Sequence, residues 1–389
     1  MNPNTDFIPF ARPSLGVEEE EAVLRILRSG WLTTGAETLA FEKEFGEYVG
    51  SPHALAVNSA TSGLHLALEA IGIGPGDVVA MSPYTFASSA AVARHLGAEI
   101  AFCDVAPGSY NLDTEKLAAL LATTKNCRAI IAVHVGGLPC DMRAIKLLGA
   151  RYGCTVIEDA AHSFPSLTTE GYAGTLGDIG VYSFYATKTI TTGEGGMIVT
   201  RDQKIATRMA TMRMHGFDRV AWDRYTSKHA SWRYAITEAG YKYNLPDILS
   251  AIGREQLRKA SRFLAERQEI ATVYDEAFKD VDGLEIPPKG DGHAWHLYSL
   301  RTKPDRGGVS RDALVEGLAD RGIGTSVHFI PLHTMPFWAK RYALSPERYP
   351  NAMAMFEASI SLPIWQGMGV EAARRVVKAV LATSGGSTG

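Results

Sequence analysis

Apolar residues in this chain gather in short runs, and between the runs lie longer stretches where apolar positions recur every three or four residues. Runs beginning at Ala54, Val78, Glu99, Ala129, Thr155, Ile179 and Met197 are rich in β-branched and aromatic side chains, so each reads as a buried strand. Residues 114–123 and 141–152 between them carry helical spacing. This alternation fills roughly the first two thirds of the chain and predicts a mostly parallel central sheet wrapped by helices, an α/β fold.

At Pro246 the pattern changes to one long helical stretch reaching about Phe278, with Ile248, Leu249, Ile252, Leu257 and Phe263 among its apolar positions, and it leads out of the large domain. Beyond it, strands at 294–301 and 324–329 and helices at 311–321 and 370–382 predict a smaller α/β domain. The expected division is a large domain over 1–255, with residues 1–35 contributing to its site, and a small domain over 256–389. The Gly/Ser-rich tail 384–389 is expected to be disordered. There is no internal repeat.

The candidate chemistry lies where the runs stop. Lys188 stands in Thr187-Lys188-Thr189-Ile190-Thr191-Thr192-Gly193-Glu194-Gly195-Gly196, a connection between the strands at 179–184 and 197–200. Open α/β sheets bind ligands at the carboxyl ends of strands, which places this amine well as a Schiff-base nucleophile. A lone lysine is more often a solvated charge. The case depends on its partners.

The run from Thr155 ends abruptly in Glu158-Asp159-Ala160-Ala161-His162, with Asp159 beyond the strand end and open to a ligand. Pyridoxal phosphate needs a lysine to hold it and a carboxylate to keep its pyridinium nitrogen protonated, and Lys188 and Asp159 are candidates for these roles. Helix capping explains one carboxylate, not two followed by a histidine, and leaves Glu158 a structural part. In Asn58-Ser59-Ala60-Thr61-Ser62-Gly63, hydroxyls and free N–H groups at a helix start make a phosphate site, or an ordinary Ser/Thr N-cap. Ser183 can add a hydroxyl, and Phe86 a face for a flat ring or simply a core side chain.

At these residues the chain resembles the DegT/DnrJ/EryC1/StrS sugar aminotransferases, which are fold-type I pyridoxal-phosphate enzymes. The resemblance begins at Gly30-Trp31-Leu32-Thr33-Thr34-Gly35 and takes in Gly74-Pro75-Gly76-Asp77, Val133-His134-Val135-Gly136-Gly137 and the segments just described. It continues through Arg213-Met214-His215-Gly216 and Gly240-Tyr241-Lys242-Tyr243-Asn244 to Val327-His328-Phe329-Ile330-Pro331-Leu332-His333. It implies that Lys188 holds pyridoxal 5'-phosphate covalently, that Asp159 pairs with the ring nitrogen, and that His162 sits against the ring or its phenolic oxygen. It further implies Phe86 along the ring face, and Thr61, Ser62 and Ser183 on the phosphate. Asn244 would reach the phosphate of a neighbouring subunit in a homodimer. Trp31, Thr33, His328 and His333 would lie near a nucleotide-diphosphate sugar, although such histidines are often structural.

The implied reaction moves an amino group from L-glutamate, leaving 2-oxoglutarate, to a TDP- or UDP-linked 4-keto-6-deoxyhexose. Enzymes acting at C3 or on 4-keto pentoses share the machinery. Members with histidine in place of the lysine act as dehydratases, so Lys188 argues for transamination. A non-enzymatic protein that keeps the cofactor as a sensor is the reading from another class, and the intact Lys188, Asp159 and phosphate cup weigh against it.

Composition narrows the partners. With 389 residues, 21% charged, and a formal net charge of -3, the chain has no large cationic face for nucleic acid. No stretch approaches the roughly twenty apolar residues of a bilayer span and none resembles a signal peptide, so the expected location is cytoplasmic. Cys103, Cys127, Cys140 and Cys154 lack metal or redox spacing and read as free thiols, with no metal implied. Gly72-Ile73-Gly74-Pro75-Gly76, the one candidate dinucleotide loop, follows a helix rather than a strand and reads as a helix stop. The aromatic and basic run from Trp222 to Tyr234 fits a lid over the nucleotide diphosphate or a dimer surface equally.

Overall fold

All seven apolar runs become strands of one sheet. The computed structural model describes residues 7–218 and 234–385, so most of the 222–234 run, including Arg224 and Arg233, and the tail beyond 385 lie outside it. In chain order the strands are β1 (His53–Val57), β2 (Val78–Met81), β3 (Glu99–Phe102), β4 (Cys127–Val133), β5 (Thr155–Asp159), a short hairpin of β6 (Leu167–Thr168) and β7 (Gly171–Tyr172), β8 (Ile179–Ser183) and β9 (Gly196–Thr200). The sheet order is β1-β9-β8-β5-β4-β2-β3, with β9 antiparallel to both neighbours and every other pairing parallel. Central strands are buried along their length, as strands covered on both faces must be.

The helical expectations at Thr114–Thr123 and Met142–Tyr152 are met, with Asp113 and Asp141 capping them through their carboxylates. The long helix is unbroken from Asp247 to Phe278. Its early residues Leu257, Ala260 and Phe263 join the apolar cluster under β8 and β9, and Ile270, Ala271, Tyr274 and Phe278 join that of the C-terminal part. Its first residue does a second job. Asp247 accepts hydrogen bonds from the N–H groups of Gly35 (2.7 Å) and Thr38 (2.9 Å), placing a carboxylate at the N-terminus of helix Ala36–Val49. That contact ties the segment around Trp31 to the segment around Asn244.

The C-terminal part holds the antiparallel sheet β10 (Leu284–Glu285), β11 (Tyr298–Thr302) and β12 (Ser359–Leu362), with helices Arg311–Ala319 and Gly369–Ser384 among its cover. Ile8 packs into the same cluster and pairs with Ile323. Two expectations need correction. Residues 324–329 are not a strand and contribute a single bridge, Ser326 to Ser361. The His328 carbonyl accepts from the Tyr84 hydroxyl (2.8 Å) instead, and Pro331 has no N–H to offer a ladder. The strand expected at 294–301 starts only at Tyr298, because residues 294–297 turn onto Gly136 and Gly137.

Asp159 is the last residue of β5, opposite Val133 and Val181, rather than beyond the strand. Consecutive strand residues face opposite sides of a sheet, which explains the two adjacent carboxylates. Glu158, fully buried, accepts from Gly174 N–H (2.7 Å), Gly177 N–H and the His134 ring (Nε2, 2.8 Å). His134 Nδ1 accepts the Cys140 N–H (3.1 Å), so the ring proton sits on Nε2 and is donated to Glu158. Replacing Glu158 with Ala leaves two buried donors and the part-buried Gly177 N–H unpaired and is expected to cost on the order of 3 kcal/mol, read as a lowered denaturation midpoint in urea.

Candidate active site

The carboxyl ends of neighbouring strands β5 and β8 open onto a cavity of about 620 Å³. Lys188, Asp159, His162, Ser183, Phe86, Thr61 and His328 all line it. Phe10, Tyr185, His296 and Phe329 add an aromatic wall. Grooves of about 810 and 940 Å³ elsewhere on the molecule contain neither Lys188 nor Asp159.

Lys188 is carried by a tightly folded loop after β8. Its N–H donates to the Tyr185 carbonyl (2.9 Å), and Thr191 Oγ1 (2.9 Å) and Thr192 N–H (3.0 Å) both donate to the Phe184 carbonyl. Buried Phe184 and Ile190 pin the loop to the core. Burial pushes the Lys188 amine down to about 8; Asp159 opposes this shift and Arg267 adds to it. The amine therefore loses its proton at a lower pH than a solvated lysine does.

Asp159 is buried, and burial pushes its carboxyl above the ordinary value. That outweighs the hydrogen bonds from Ser89 Oγ to Oδ2 (2.8 Å) and from Ala161 N–H to Oδ1 (3.3 Å), and the charge of Lys188. A desolvated carboxylate so placed favours a cationic partner within the cavity. Ser89, held in turn 2.8 Å from Thr85 Oγ1, is a positioning residue that the sequence reading missed. It lies seventy positions from Asp159 in sequence, with no local motif to mark it.

His162 is buried and accepts the Gly136 N–H at Nδ1 (3.2 Å), which puts its proton on Nε2. Burial, then the Lys188 and His328 charges, hold it well below the ordinary histidine value. His328 is pushed down to about 4 by burial and Lys188, and its Nδ1 lies 3.0 Å from Ser361 Oγ.

Helix Ala60–Ala70 begins at the cavity, with Ser59, Ala60 and Thr61 on its wall. Its first N–H groups have no intrahelical acceptor, and they form an anion site with the helix dipole. Gly196 lets β9 approach this turn: a Cβ there would come within 2.8 Å of the Ala60 nitrogen. Ser59 is also an ordinary N-cap, accepting from Ser62 N–H (3.1 Å), so both readings of the motif hold at once. Ser62 itself turns away, its hydroxyl donating to Asn58 Oδ1 (2.5 Å), and does not line the cavity.

The structure does not bring Trp31, Thr33, Asn244 or His333 into this cavity. Asn244 is buried, donating to Thr34 Oγ1 (2.7 Å), and Trp31 donates to the Thr34 carbonyl (3.4 Å). Thr33 is exposed nearby. His333 is fully buried against Tyr349, ring centroids 4.6 Å apart, with neither ring nitrogen paired, so it takes the structural place.

The profile of the DegT/DnrJ/EryC1/StrS aminotransferase family matches residues 13–381. The chain belongs to that family. This sugar aminotransferase is 42% identical over 382 residues to the spore coat polysaccharide biosynthesis protein SpsC of Bacillus subtilis, covering 96% of this chain and 97% of that one. Among solved structures it is similar to Helicobacter pylori PseC, an aminotransferase involved in the biosynthesis of pseudoaminic acid, with TM-score 0.90, 27% identity and coverage of 98% and 99% of the two chains. A putative sugar aminotransferase of Streptococcus pneumoniae in its PLP form gives TM-score 0.88 and 27% identity, covering 97% of this chain and 99% of that one. The enzyme is pyridoxal-phosphate dependent, and the cleft fits that group: a half-buried amine, a desolvated carboxylate and an open helix N-terminus share one wall.

Covalent capture of pyridoxal phosphate by the cofactor-free enzyme should accelerate as pH rises through about 8, since only neutral Lys188 is nucleophilic. Stopped-flow absorbance at several pH values tests this. An inflection near the ordinary lysine value would show that the cleft does not depress the amine.

Proposed function

We propose that this enzyme transfers an amino group from L-glutamate to a nucleotide-linked keto sugar, a TDP- or UDP-4-keto-6-deoxyhexose, giving the 4-amino sugar. The observation that carries the reading is the depressed Lys188 amine sharing one cleft with the buried Asp159 carboxylate. Relatives whose names place them in spore coat polysaccharide and pseudoaminic acid biosynthesis support a carbohydrate acceptor. The segments 189–196 and 240–244, which resemble members aminating C4, support that carbon.

When bound, pyridoxal phosphate supplies a cationic ring that accepts the electrons left on carbon as a proton departs. Asp159 keeps that positive charge at its carboxylate, with Ser89 and Ala161 holding the oxygens in place. Lys188 would hold the group through its Nζ and, once released, would stand in the cleft as a free base. Its Nζ then takes the proton from the donor α-carbon. His162, with its Nε2–H free, would give a hydrogen bond to the ring or its phenolic oxygen, Phe86 would offer an aromatic face, and Ser59, Thr61 and Ser183 would hold the phosphate. Residues 256–389, with His328 and Phe329, supply the wall facing the sugar. Asn244, outside its own cleft, reaches the phosphate in the partner of a homodimer.

Two outcomes are expected. Wild-type enzyme with pyridoxal phosphate should show a visible band that glutamate converts to the pyridoxamine form, with ping-pong kinetics, while Lys188→Ala forms no such band; a band indifferent to glutamate assigns another donor. Mixing inactive Lys188→Ala and Asn244→Ala subunits should restore a fraction of activity, because one hybrid site carries neither substitution. No recovery despite subunit exchange would place Asn244 in its own subunit's site.

A further inference from the structure

Among the described side chains lining the cleft, His296 alone has a polar atom that is sealed from solvent without a hydrogen-bond partner. It is only 7% exposed, and the sealed atom is its Nδ1. His162 and His328 each have one ring nitrogen held by the protein, at Gly136 and Ser361; His296 has neither. Its Nε2 makes no hydrogen bond to the protein, and the residue lines the cavity that holds Lys188. An orphaned buried N–H is rarer and costlier than an orphaned acceptor, so the proton belongs on Nε2, toward the cleft.

The ring is held there by its backbone. Ala294 N–H (2.8 Å) and Leu297 N–H (3.0 Å) donate to the Gly137 and Gly136 carbonyls, and the fully buried Arg267 guanidinium donates to the carbonyls of Trp295 (3.1 Å) and His296 (3.2 Å). Trp295 takes φ of 50°, uncommon for a bulky residue, and Gly137 has φ of 96° and no room for a side chain, a Cβ there falling 3.0 Å from the His296 nitrogen. Gly136 of the same turn fixes His162. One turn thus presents two imidazoles with centroids 4.3 Å apart, each with an Nε2 proton to give.

We propose that His296, paired with His162, is the neutral hydrogen-bond donor that receives the α-carboxylate of the amino-acid donor. The proposal rests on the aminotransferase reading above. An amino acid whose nitrogen engages the cofactor at Lys188 carries its carboxylate on the reacting α-carbon itself, inside this cavity. The described lining of the cavity contains no arginine, and Lys188 is its single cation. Adjacent N–H donors in a desolvated cleft meet an oxygen of negative charge without a cationic partner. Burial above all keeps His296 uncharged at neutral pH, so it donates without repelling Lys188.

The test uses holoenzyme carrying His296→Leu, His296→Asn or His296→Gln. Glutamine places its amide N–H near the position of histidine Nε2, whereas asparagine reaches only the position of Nδ1. The probes are α-methylglutamate, which has no α-proton and reads binding by the absorbance change alone, and glutamate for the single half-reaction. Leucine and asparagine should weaken α-methylglutamate binding and slow the glutamate half-reaction at least about tenfold. Glutamine should recover most of both, with cofactor affinity in all three within about twofold of wild type. Unchanged α-methylglutamate binding in His296→Leu overturns the proposal, as does a loss confined to the keto-sugar half-reaction. Equal loss of cofactor in all three variants makes the residue structural and also overturns it. Failure of wild type to respond to glutamate would instead reject the glutamate reading, since that result precedes any variant.

Discussion

The site depends on the end of β5, where neighbouring carboxylates are sent to opposite faces of the sheet. Glu158 goes into the protein and becomes fully satisfied by His134, Gly174 and Gly177. Asp159 goes into the cleft with too few hydrogen bonds to offset its burial. The first locks the strand end to the loop before β8, and so holds β5 and β8 in the register that sets Asp159 beside the lysine loop. The second remains in need of a positive charge. Two residues of the same chemistry thus serve opposite purposes, and the pleat of the strand is what separates them.

Around that carboxylate the cleft suppresses charge rather than accumulating it. Lys188 is brought down to about 8, and His162, His296 and His328 are all held neutral by burial and by one another's proximity to the lysine. A neutral amine can act as nucleophile and base, and neutral imidazoles can donate hydrogen bonds without competing for the carboxylate. The C-terminal part contributes two of those histidines through chain that is not regular strand: the turn at residues 294–297 and the extended segment at 324–329. Their geometry comes from Arg267, Tyr84 and the Gly136–Gly137 turn, not from a sheet ladder.

Much of this was legible in the sequence. Seven strands, the long helix from Asp247 to Phe278, and the positions of Lys188, Asp159, His162, Ser183 and Thr61 follow from hydrophobic period and from polar residues at the ends of apolar runs. These are local features, each contained in a window of a dozen residues or so. The strand expected at 324–329 failed for a reason the pattern cannot carry, since Phe329 walls the cleft, the Ser326 backbone pairs only with Ser361, and the His328 carbonyl is taken by a distant tyrosine.

What the sequence by itself determined was the α/β alternation and the chemistry placed at strand ends, because strand and helix periods and chain-local motifs are written in consecutive residues. Tertiary structure alone decided which of these residues share a cavity. It brought in Ser89 behind Asp159 and His296 beside His162, and left Ser62, Asn244, Trp31, Thr33 and His333 outside the chain's own cleft. It also set the protonation of the lysine and the histidines. Proximity across seventy or more residues, and the loss of water that accompanies it, are properties of packing, and hydrophobic period in one sequence does not encode them.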